Sequence, residues 1–212
     1  MARLPLWLKI GWTAWTLLWA CAYALYHGPE NFLWFCDLAN FIVAVGLWME
    51  SPLLLSWQAV SVLIVQVLYL VDVAFRFVTG ARLMGATDFM FNESIPLEIR
   101  TLSLVLHLVT PPVLIAGLWK LGYDRRALPL QIASTAVLLV VSYQWGPDRN
   151  INWSWGPLFK RQEMVPSVLY LGIAVVGYTI LLYAPAHVFF LKIWPRLPSN
   201  SVVNKGCSDA SG

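Results

Sequence analysis

The sequence predicts an all-α polytopic membrane protein, a compact bundle of six transmembrane helices with both termini on the cytoplasmic side (N-in/C-in). Three observations predict it. Hydrophobic residues make up 59% of the 212-residue chain and charged residues 12%, with a mean hydropathy of +0.66. A soluble fold cannot bury that much apolar surface. Six runs are apolar over the roughly 20 residues needed to cross about 30 Å of hydrocarbon. Trp7, Trp34, Trp48, Trp119, Trp145, Trp153, Trp155 and Trp194 lie near the ends of those runs, where an amphipathic ring suits the headgroup layer.

The expected spans fall at about 6–26, 32–49, 53–75, 97–119, 127–145 and 165–191. The first also has the layout of a secretory signal, and cleavage after Ala24 would leave five spans. Three tryptophans in its apolar region, and continuation through Tyr23 and Leu25, favour a retained helix. Residues 76–96 read as a short interfacial helix or an irregular cap. Residues 1–192 form one transmembrane domain, and 193–212 form a polar cytoplasmic tail expected to be disordered.

Lysine and arginine set the orientation. The connection "KLGYDRRAL" between the fourth and fifth spans holds three cations, and "KIWPR" follows the sixth. The connections on the other side mix their cations with Asp88, Glu93, Asp148 and Glu163. Cations concentrate on the cytoplasmic side, so the short connections point inward. The chain is expected to be a multi-pass membrane protein, of the cytoplasmic membrane if bacterial.

That topology gathers polar residues in one leaflet. Cys36, Asp37 and Asn40 start the second span; Gln66, Asp72 and Arg76 end the third; Glu98, Arg100 and His107 start the fourth. An aspartate inside a span costs about 2.5–3.5 kcal/mol on insertion scales, and such residues face a bundle interior or an aqueous cavity. Cys36, Asp37 and Asn40 share a helical face by their three- and four-residue spacings. Asp72 and Arg76, four apart, are placed to form an ion pair or, with Arg100, to line a cavity. Pro111 frees the carbonyl of His107 and is expected to interrupt the helix there.

The loop "YQWGPDRNINWSWGP" repeats Trp-Gly-Pro around "DRNINWS", a pattern of turns and local caps. It is expected to fold back on the membrane surface as a rigid interfacial turn; the alternative is a cap in which Asp148, Arg149, Asn150 and Asn152 close over the polar cluster. Asn92-Glu-Ser and Asn152-Trp-Ser are glycosylation sequons. The chain has no Walker glycine loop, dinucleotide fingerprint, HExxH motif or metal-ligand spacing. Neither cofactor nor metal is expected. Membrane lipid is the expected partner, and the cations form no continuous basic surface for nucleic acid.

Cysteine and histidine brought together make a thiolate nucleophile with a general base. On that reading Cys36 attacks an acyl ester, His107 moves the proton, and Asp37 or Asn40 orients the imidazole or the oxyanion. The strings "WFCDLANF", "LVLHLVTPPVLI" and "NINWSWGP", in that order, resemble the bacterial YwaF-type integral membrane family. That family is related to a eukaryotic ether-phospholipid acyltransferase with a proposed intramembrane Cys-His pair. The resemblance covers roughly residues 30–190 and implies the pair Cys36 and His107. A structural or scaffold role is the leading expectation. Lipid acyl transfer or acyl hydrolysis, and proton-linked transport or ligand sensing, are the alternatives.

Overall fold

The computed structural model describes residues 4–157 and 160–194. Arg3, Cys207 and the expected polar tail beyond Trp194 lie outside the described residues. Among the described residues the chain is entirely helical, with six helices: α1 Leu6–His27, α2 Phe35–Trp48, α3 Pro52–Thr79, α4 Leu97–Leu121, α5 Ala127–Tyr143 and α6 Ser167–Ile193. By length and composition α3, α4 and α6 are able to cross a membrane.

Local chemistry sets the boundaries. Ser51 accepts from the Leu54 N–H at 3.3 Å and Pro52 occupies the first turn, so α3 starts sharply. It ends where Gly80 adopts φ 73° and returns its N–H to the Arg76 carbonyl. Two helices are shorter than the sequence suggests. A 3₁₀ turn, Pro29–Leu33, takes up the start of the expected second span, leaving α2 with 14 residues, about 21 Å of helix. Likewise α5 stops at Tyr143.

The expected interruption at the prolines is absent, since α4 runs unbroken through Pro111 and Pro112. Beside them, the Thr110 hydroxyl bonds the Leu106 carbonyl at 2.6 Å. Neighbouring side chains and local adjustment let a membrane helix carry proline.

At the centre, α3 packs against α2, α4, α5 and α6. Its buried Leu55, Ala59 and Val62 share a core with Ala39, Val43 and Leu47 of α2 and Leu114 and Leu118 of α4. A second core joins Trp19 and Tyr23 of α1 to Ile99 and Leu106 of α4. In contrast, α6 is peripheral, with Val176, Ile180 and Leu181 exposed, and Leu17, Leu18, Leu25 and Val137 are exposed on other helices. So broad an apolar surface matches a lipid solvent rather than water.

The connections divide by length. Residues 49–51 and 122–126 make tight turns at one end of the bundle, while residues 28–34, 80–96, 144–157 and 160–166 lie at the other. At the short-turn end Lys9 pairs with Glu50 at 2.6 Å, and the Tyr123 hydroxyl meets His187 Nδ1 at 2.5 Å.

Candidate functional site

Beneath the long loops, the ends of α1 to α4 bring together Tyr23, Cys36, Asp37, Tyr69, Ser103 and His107. On α4, His107 and Ser103 are one turn apart, and His107 Nδ1 lies 2.7 Å from the Ser103 carbonyl oxygen. A carbonyl only accepts, so Nδ1 carries the proton and Nε2 is the acceptor of the neutral ring. Tyr69 of α3 stacks on that imidazole, with ring centroids 3.7 Å apart and planes 11° from parallel. Its hydroxyl is 3.1 Å from Ser103 Oγ. Two helices thus fix the His107 ring through a stack, a hydroxyl and a carbonyl.

Asp37 is buried in the first turn of α2. Asn31 Nδ2, in the preceding 3₁₀ turn, donates to its Oδ2 at 2.5 Å. Among the described residues no lysine, arginine or histidine pairs with the Asp37 carboxyl group. Desolvating a charge in this way is expensive unless a partner or a proton compensates it.

Two carboxamides on the same pair of helices have no hydrogen-bond partner. Asn40 of α2 and Gln66 of α3 are fully buried, and neither end of either amide is bonded among the described residues. Leaving such groups unmet costs about 1–3 kcal/mol each, and native proteins keep few of them. Asn40 does serve α1 with its backbone, accepting from Trp12 Nε1 at 3.1 Å.

Cys36 is half-buried and packs against both cores. No hydrogen bond joins it to His107 among the described residues. The fold brings the two into one region without a hydrogen bond between them, and His107 Nδ1 is engaged within α4.

The expected Asp72–Arg76 ion pair is not formed, because each side chain finds a closer partner in the 80–96 connection. The Asp72 carboxylate accepts from Met84 N–H at 2.8 Å, Thr87 N–H at 3.2 Å and the Thr87 hydroxyl at 2.7 Å. Arg76 pairs with Asp88 and lies 4.3 Å from the Phe91 ring centroid. Arg100 Nη1 donates to the Met90 carbonyl at 3.1 Å. These three residues shape an irregular cap containing a 3₁₀ turn, Asp88–Phe91.

The second long loop closes over the start of α2. Asn152 Oδ1 accepts from Phe35 N–H at 3.0 Å, while its Nδ2 donates to the Leu33 carbonyl at 2.7 Å and to Ser142 Oγ at 3.2 Å. Asn150 holds the loop itself, donating to the Gly156 carbonyl at 2.9 Å and accepting from Trp155 N–H at 2.8 Å. Both asparagines have positive φ, which their side chains tolerate better than most. Arg149 pairs with Glu30 at 2.5 Å. Asp148 is exposed and makes no bond among the described residues. Asn152 is buried, so its sequon is inaccessible in the folded chain.

Sequence reasoning missed Tyr23, Tyr69 and Ser103. The signal for two of them was present: Gln66, Tyr69 and Asp72 recur every three residues, and Ser103 precedes His107 by four. Among the described residues no group of three or more His, Cys, Asp or Glu side chains is arranged to hold a metal. No protein-family model matches the chain, nor does any curated protein or solved structure.

Proposed function

We propose that the chain is a six-span, N-in/C-in membrane protein that binds a small polar ligand at Asp37, as a ligand sensor or proton-linked transporter. The observation that carries this reading is the buried Asp37 carboxyl, held by one neutral donor and paired with no cation among the described residues. An ionisable group inside a membrane bundle marks a ligand or proton site by default. A proton or a positively charged ligand compensates such a carboxylate. The unmet amides of Asn40 and Gln66 support the same reading, since helix fasteners gain nothing from half-satisfied polar groups. Lys9, Lys120, Arg125, Arg126 and Lys192 at the short-turn end support a cytoplasmic placement of that end. The cluster then lies toward the outer leaflet.

The acyl-transfer reading has less support. It needs His107 to take a proton from Cys36, and no hydrogen bond joins the two among the described residues. A purely structural role accounts for Tyr69, Ser103 and His107, but not for Asp37.

The test is a thermal-shift screen of the protein in nanodiscs against small primary amines, quaternary ammonium compounds and guanidinium compounds. A ligand that binds only the folded state at 100 times its Kd stabilises by about 2.7 kcal/mol. At least one class is expected to raise Tm for the wild-type protein and leave Asp37→Asn unchanged. Equal responses from wild type and Asp37→Asn across the panel, with proton uptake also equal, would overturn the proposal.

A further inference from the structure

We infer that a cavity between α2, α3 and α5, separate from the Asp37 cluster, takes a neutral lipid-phase molecule bearing a carbonyl or hydroxyl group. The cavity has a volume of about 350 Å³ and is lined by Leu38, Trp57, Gln58, Ser61, Gln131 and Ser134 among others. That size lies within the range of roughly 300–1,000 Å³ typical of small-molecule sites.

Its walls are apolar, but its floor is not. Gln58 is 2% exposed and Ser61 4%. Neither side chain has a hydrogen-bond partner among the described residues, and both line the cavity. The other polar groups of the lining are already paired: Trp57 Nε1 of α3 donates to Gln131 Oε1 at 2.7 Å and Ser134 Oγ at 3.2 Å of α5. Gln131 Nε2 donates onward to Thr135 Oγ1 at 3.0 Å. The amide and hydroxyl on α3 therefore remain to receive a ligand, one a donor and acceptor, the other either.

Charge and depth narrow the ligand class. Among the described residues no ionisable side chain lines the cavity, so a charged headgroup would be desolvated there without a partner. Gln58 and Ser61 lie about 9 Å and 14 Å along α3 from Pro52 at 1.5 Å per residue, within the depth of the hydrocarbon. Val137, part of the lining, is 65% exposed, so the cavity reaches the outer surface of the bundle. An apolar body fits the walls, and one hydrogen-bonding group fits the floor.

The experiment uses the full chain in nanodiscs and three clickable diazirine probes of equal length: a fatty alcohol, the matching fatty acid and the matching alkane. Adducts are mapped by mass spectrometry. The alcohol is expected to label 57–61 and 130–138 at least fivefold above the alkane and above the acid. Gln58→Met with Ser61→Ala is expected to remove that excess. Val137→Trp, which narrows the mouth while leaving the floor intact, is expected to reduce alcohol labelling with no loss of thermal stability. Equal labelling by alcohol and alkane, or equal density along Val176, Ile180 and Leu181 of α6, would identify an annular lipid only and overturn the inference. Unchanged alcohol labelling in both variants would overturn it as well.

Discussion

Asn152 caps the helix that carries Asp37. Its Oδ1 takes the N–H of Phe35 at 3.0 Å, two residues before the acid, across 117 positions of chain. The first turn of a helix has N–H groups without intrahelical partners, and Trp34, the local cap residue, offers no side-chain acceptor. The loop supplies what the local sequence lacks, so the placement of Asp37 depends on the segment between α5 and α6.

Asn152→Ala is therefore expected to destabilise the long-loop end by about 1–3 kcal/mol, as buried partners are left unmet. With Cys21 and Cys207 replaced by serine, labelling of Cys36 by an impermeant maleimide in sealed vesicles is expected to rise about tenfold or more. Unchanged labelling would show that the cap does not govern access to α2.

His107→Phe preserves a flat ring to stack on Tyr69 and removes both ring nitrogens, and with them the bond to the Ser103 carbonyl. Labelling of Cys36 in this variant is expected to remain within about twofold of wild type, because no hydrogen bond connects the two residues. A tenfold change, equivalent to about 1.4 kcal/mol, would instead reveal coupling and revive the acyl-transfer reading. His107→Ala is expected to cost about 2–4 kcal/mol through lost packing.

Two glycines receive the ends of one leucine. A Cβ on Gly117 of α4 would lie 2.6 Å from Leu55 Cδ1, and one on Gly46 of α2 would lie 2.8 Å from Leu55 Cδ2. Each alanine variant is expected to lower stability by about 1–3 kcal/mol through overpacking. Leu55→Ala should cost less in the Gly117→Ala background than alone, a coupling readable by a double-mutant cycle in detergent unfolding.

Asp72→Asn keeps the size of the side chain but loses a charge-assisted acceptor of three bonds. Such bonds contribute about 1.5–3 kcal/mol each before compensation. Faster trypsin cleavage at the exposed Arg82, with little change in global unfolding, is the expected result. Equal cleavage rates would mean that the 80–96 connection is held by other contacts.

Much of this arrangement was legible in the sequence. Hydropathy marked the helices, and the alternation of short and long connections put Cys36, Asp37, Gln66 and His107 at one end. Pairing was harder to read. Asp72 and Arg76 have ideal helical spacing, yet backbone N–H groups at 84 and 87 outcompete the arginine, and nothing local in α3 announces them. The continuity of α4 through Pro111 was also hidden, since its surroundings decide whether a proline breaks a membrane helix. Asn152 drew notice as a sequon and a loop residue. Its service to Phe35 arises only from tertiary folding.

The hydroxyl of Tyr183 sits in a π-helical turn, Thr179–Tyr183, and receives a bond from Thr135 Oγ1 at 3.0 Å. A π turn widens the helix by one residue and re-aims its side chains. Translation makes Thr135 long before Tyr183, so a nascent chain halted within α6 presents that threonine to its surroundings without this bond. The buried threonine of α5 thus reaches its acceptor only when the chain as far as Tyr183 of α6 is in place.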